Sequence, residues 1–207
     1  MLNEHQMAVI VAATARLIPG PDDDAGEAGH PGAREANVVA YIDGLLDALE
    51  VAPPRVFAGG PFSARRGGNG AMGDFIELDE IERTAWSMRI GALREQYVTG
   101  IQALDGAADG DFVAASPRDQ DAILATDPGG FTAVLMEHAI EGMYSNPEYG
   151  GNADLVGWQG IGFAGDTQPR GFTDVEVSRP GAPDPIERTA AVDLLLTLFG
   201  SRAATDG

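Results

Sequence analysis

This chain of 207 residues contains no cysteine and no lysine. Without a thiol there is no disulfide, no thiolate nucleophile and no sulfur ligand for a metal. Without an ε-amine there is no Schiff base to a carbonyl substrate or pyridoxal phosphate, and no lysine for a phosphate-binding loop. All thirteen cations are arginine, set against 32 Asp and Glu, for a formal net charge of −19. Such a surface repels the phosphate backbone of nucleic acid and an anionic membrane face. It favours a partner with a basic patch. No apolar run approaches the ~20 residues that span a bilayer, so no membrane insertion is expected. The opening Met1-Leu2-Asn3-Glu4-His5-Gln6 has no basic region, no long apolar stretch and no twin arginine. A cytoplasmic location is therefore expected, or a periplasmic one if a twin-arginine leader was trimmed.

What is present reads as helix. With 44% hydrophobic and 22% charged residues the chain has a globular balance. Met7, Ile10, Val11, Thr14, Leu17 and Ile18 make an apolar stripe at helical spacing over 3–18. A second helix is expected over 33–49, with Val38, Ile42, Leu45 and Leu49 on one face. The longest should cover 79–107: Asp79 and Glu82 form a capping-box pair, and Trp86, Ile90, Leu93, Tyr97, Ile101 and Leu104 share a face destined for the core. Ser116-Pro117 is a cap followed by a first-turn proline, opening a short helix to about 125. Helices over 131–144 and 185–199 follow, the former with Phe131, Val134, Leu135 and His138 on one side. The expectation is a single irregular all-α domain over 1–207. Long Gly/Pro-rich loops fall at 51–74 and 145–184, one short extended arm or strand at 173–178, and a frayed tail at 201–207.

Catalytic signatures are scarce. Asp22-Asp23-Asp24 lacks the alternating ligands and the closing Glu of a calcium loop, and reads as a solvated acidic turn. Gly67-Gly68-Asn69-Gly70 has no following Lys-Ser/Thr and no strand before it. The loop around it, with Arg65, Arg66 and two phenylalanines, suits a docking arm or a mobile connection. His138-x-x-Glu141 occurs once, whereas a di-iron bundle needs Glu-x-x-His on two helices. A hydrogen-bonded histidine at a helix interface accounts for it more simply.

The chain is organised around 142–172, which holds five of its fourteen aromatics and eight of its 28 glycines. Glycine lets backbones turn and approach closely, and aromatic rings give large contact area at low entropic cost. Two readings stand: a contact surface, or a packed connection that seats Tyr149 and Trp158 in the chain's own core. Composition and pattern together favour a binding or subunit role over catalysis.

The block Tyr144-Ser145-Asn146-Pro147-Glu148-Tyr149-Gly150-Gly151-Asn152, followed by Asp154, Val156-Gly157-Trp158, Ile161-Gly162 and Phe163, resembles the gluconate 2-dehydrogenase subunit 3 family, the small or gamma subunits of bacterial FAD-dependent sugar dehydrogenases. Arg16-Leu17-Ile18-Pro19-Gly20, Pro31-Gly32-Ala33-Arg34-Glu35-Ala36-Asn37-Val38 and Tyr41-Ile42-Asp43 agree with it, as does Leu104-Asp105. The resemblance spans roughly residues 5–165. It implies no cofactor in this chain, FAD in a large glucose-methanol-choline type subunit that oxidises a sugar or polyol, and often a cytochrome c as electron acceptor. It implies a stabilising and maturing role for the small subunit. The interface expectation falls on Tyr144, Asn146, Pro147, Glu148 and Tyr149, on Gly150, Gly151, Asn152 and Trp158, and on Arg65 and Arg66 of the earlier loop. Two rivals are an escort that leaves the flavoprotein after assembly and a free-standing enzyme with a metal on His138 and Glu141.

Overall fold

The computed structural model describes residues 2–51, 54–56 and 77–163, all within one compact unit, Met1–Gly165. Among the described residues there are six α-helices, four short 3-10 turns and no strand, so the fold is all-α. The extended arm at 173–178, the last helix, the tail and most of the 51–74 loop lie outside the described residues, as do Arg65 and Arg66.

Helix α1 (Glu4–Leu17) opens on a capping box, with the Asn3 side chain on the Gln6 amide and the Gln6 side chain on the Asn3 amide. Its buried face differs from the expected stripe. Ile10 and Thr14 are buried, but Val9, Ala12, Ala13 and Ala15 join them while Met7 and Val11 are only half-buried. The reason is that α1 touches four other helices, and alanine lets several of them close in at once. Helix α2 (Val38–Leu46) is shorter than expected. Asn37 sits in the left-handed region at φ 54, so 33–37 is turn, with the Glu35 carboxylate accepting from the Gly32 amide at 2.7 Å.

Helix α3 (Glu80–Ala107) begins on the anticipated capping box: Asp79 accepts from Glu82 N at 2.7 Å and Glu82 from Asp79 N at 2.9 Å. At ~1.5 Å per residue it is about 42 Å long. Ile90, Tyr97, Ile101 and Leu104 are buried as the stripe requires. Trp86 is only half-buried. It lies in the first turns of α3, which stand clear of the core, with Ile81 and Met88 at 80% and 73% exposure. Among the described residues, the helical period extends beyond the part of α3 that is buried in the core.

Helix α4 (Pro117–Thr126) is capped by Ser116, and α5 (Phe131–Tyr144) follows a 3-10 turn. The core joins α1 to α5 through residues such as Val38 and Ile42 of α2, Tyr97 of α3 and Leu135 and Met143 of α5. Phe131 lies edge-on to Tyr97, centroids 5.1 Å apart, directly over Gly100, where any Cβ would overlap its ring. This glycine lets α3 approach the start of α5.

Candidate docking site

The organising block begins where α5 ends. The Asn146 side chain accepts from the Glu148 amide and opens a 3-10 turn, Pro147–Tyr149. Gly150 at φ 100 reverses the chain. Gly151 then lies against the Gly142 carbonyl so tightly that a Cβ would collide with it. Asn152 is fully buried in the left-handed region at φ 46, a conformation asparagine tolerates better than most residues. Its amide donates to Gly142 O at 2.7 Å. Its side-chain NH2 donates to Ser145 O at 3.0 Å, and its side-chain oxygen accepts from Gly157 N at 3.0 Å. One side chain thus ties the end of α5 to the start of α6 (Val156–Gly160). Trp158, buried on α6, donates its indole N–H to Tyr144 O at 2.6 Å and meets the Phe163 ring edge-on, centroids 5.1 Å apart. The stretch expected as part of a long loop over 145–184 thus contains two 3-10 turns and the short helix α6 within its first part.

This clamp turns other side chains outward. Tyr144 and Tyr149 are 38% and 41% exposed, Ile140 is 46% exposed, and Glu148 is exposed beside them. Two shallow hollows meet here. One, of about 430 Å³, lies between Tyr41, Ile140, Glu141, Tyr144 and Tyr149. The other, of about 260 Å³, continues past Tyr41 and Tyr149 to Leu45, Arg55 and Trp86. Together they form an aromatic-lined groove across α2, α5 and the base of α3. Tyr41 donates its hydroxyl to the Glu141 carboxylate at 2.7 Å. Burial, and then that hydrogen bond, push the Tyr41 pKa well above its ordinary value, so it is a neutral donor at any physiological pH.

The anticipated site residues therefore divide. Tyr144 and Tyr149 line the groove, Glu148 is exposed next to Tyr149 in the chain, and Asn146, Pro147 and Gly150 are half-buried. Gly151, Asn152 and Trp158 lie inside the chain's own fold. Sequence reasoning missed Tyr41, Ile140 and Trp86 as groove residues. A signal existed for Ile140, which sits off the buried stripe of α5 defined by Phe131, Leu135 and His138.

His138 is buried with its Nδ1 2.9 Å from the Tyr97 hydroxyl, the two rings stacked at 5.8 Å. Desolvation lowers its pKa against the opposing pull of Glu141 and Glu137. Its neighbour in the motif, Glu141, is engaged with Tyr41 instead. Among the described residues no three His, Asp or Glu side chains gather as a metal-binding group, and no helix is long and apolar enough to cross a membrane.

No curated protein and no solved structure matches the chain significantly. The family model described as gluconate 2-dehydrogenase subunit 3 matches residues 4–165, a range that takes in every described helix and both walls of the groove. A helical body whose signature block clamps itself from within, and turns its tyrosines outward, suits a chain that works in an assembly. The protein belongs to the gluconate 2-dehydrogenase subunit 3 family, non-catalytic subunits of a dehydrogenase complex.

Proposed function

We propose that this chain is the small subunit that seats and stabilises a large FAD-binding oxidoreductase of the glucose-methanol-choline type, acting on a sugar, glycoside or polyol hydroxyl. In this reading the flavin sits in the large subunit, and electrons leave it for a cytochrome c or another acceptor. The observation that carries it is the groove. Tyr41, Tyr144, Tyr149 and Trp86 present aromatic surface on an otherwise acidic body, which is the residue class that interface centres enrich. Arg65 and Arg66 of the 51–74 loop are assigned to the same proposed contact, whereas Asn152 and Trp158 support it from beneath.

The test uses Tyr144→Ala with Tyr149→Ala, both exposed, so that folding is preserved. Tagged wild-type chain from its native host should bring down a flavoprotein, visible by its flavin absorbance, and the double variant should not. A double variant that keeps its circular dichroism and still brings down the flavoprotein in full would refute the docking site. An active flavoprotein complex that purifies without this chain would favour a transient escort.

A further inference from the structure

Exposed carboxylates beside the groove bear on what its occupant carries. Glu137 and Glu141 stand one turn apart on α5, both exposed, and both act electrostatically on Tyr41 in the groove wall. Glu148, also exposed, immediately precedes Tyr149, which lines both hollows. Among the described residues none of the three is in an ion pair. Of the nearby cations, Arg55 lines the smaller hollow beside Gly44 and the Tyr149 carbonyl, and Arg89 stacks on Trp86 at 5.3 Å.

We propose that the occupant of this groove is a segment of the catalytic subunit with an aliphatic or aromatic anchor between Tyr41, Tyr144 and Tyr149, flanked by basic side chains on Glu137, Glu141 and Glu148. This rests on the docking reading above and adds the partner's chemistry to it. A second copy of the chain is the wrong occupant, because each copy carries a formal charge of −19 and these carboxylates would face each other. The apolar floor supplies adhesion, and the carboxylates steer and orient the partner.

The test compares two variants with wild type for binding to the catalytic subunit isolated from the native complex. One is Glu137→Gln/Glu141→Gln/Glu148→Gln; the other is Tyr144→Ala/Tyr149→Ala. Binding is measured at about 0.01 M and about 1 M salt, where screening lengths are about 30 and 3 Å. The expected result is roughly tenfold weaker binding of the triple Gln variant at low salt, with the difference gone at high salt, and loss of binding by the Tyr variant in both. If the Tyr variant fails to bind but the triple Gln variant matches wild type at both salts, the groove is the interface and its occupant is not basic, which overturns this inference alone. If both variants bind like wild type, the docking reading itself fails. A wild-type homodimer that the Tyr variant splits into monomers would make a second copy the occupant and overturn the inference. The absence of lysine gives a further check. In this chain only the α-amino group can couple to a carbodiimide-activated carboxylate, so a cross-link from Glu137, Glu141 or Glu148 to a lysine must end on the partner. Such a cross-link in the native complex is the expected product.

Discussion

Replacing Asn152 with alanine is the sharpest test of the clamp behind the groove. The substitution removes the acceptor for the buried Gly157 amide and the donor to Ser145 O. Each stranded partner costs about 1–3 kcal/mol. The backbone must also keep φ 46 without asparagine's tolerance for it, about 1–2 kcal/mol more for alanine. Ser145 is only half-buried, so water recovers part of its share, and the expected total is about 3–5 kcal/mol. For a chain of this size that is a fall in Tm of roughly 6–20 °C. Asn152→Gly relieves the backbone but not the hydrogen bonds, and should fall between wild type and Asn152→Ala. The assay is urea unfolding followed by tryptophan fluorescence in a Trp86→Phe background, so that Trp158 reports alone. An Asn152→Ala protein within about 1 kcal/mol of wild type would mean that the clamp is redundant and the reasoning wrong.

Other outcomes follow from the same packing. Gly100→Ala should destabilise by about 1–2 kcal/mol, because the overlap with Phe131 outweighs the ~1 kcal/mol helix-propensity gain. Gly91→Ala on the same helix, with nothing within 4 Å, should stabilise by up to ~1 kcal/mol, and thermal melts of the pair separate the two effects. Desolvation lowers the folded pKa of His138. Its stabilising contribution is thus present above the unfolded value of about 6.5 and lost as pH falls through the folded one. His138→Gln should flatten the decline in Tm on acidification, and parallel wild-type and variant profiles would contradict this. His5 behaves in the opposite sense. Its hydrogen bond to Asp105 at 2.8 Å raises its pKa, so the contribution is complete below about 6.5 and lost as pH rises through the folded value. His5→Gln should therefore differ from wild type on the acid side and merge with it in alkali.

Much of the scaffold was legible because it is local. Asp79 and Glu82 are three residues apart, Ser116 precedes Pro117, and these short-range signals place helix starts with no knowledge of the rest of the fold. The lack of Cys and Lys and the charge of −19 excluded whole classes of chemistry by composition alone. The alanine face of α1 was not legible, because a periodicity reading weights large apolar residues while a helix touching four others needs small ones. The early end of packing along α3 was equally hidden, since nothing in Ile81, Trp86 or Met88 tells how far the neighbouring helices reach.

The block at 144–158 shows the division most clearly. By itself the sequence marked this stretch, through its concentration of glycine and rings, as the place where the chain does something other than pack helices. Which rings face in and which face out was decided only by tertiary structure. Trp158 points inward because its indole finds Tyr144 O, and Asn152 does so because Gly142 O, Ser145 O and Gly157 N converge on it. Tyr149 is left facing the groove it shares with Tyr41, a residue of the distant helix α2. Those contacts depend on a left-handed turn at Asn152 and on the approach of helices far apart in the chain. No spacing rule along the sequence encodes where such distant backbones meet.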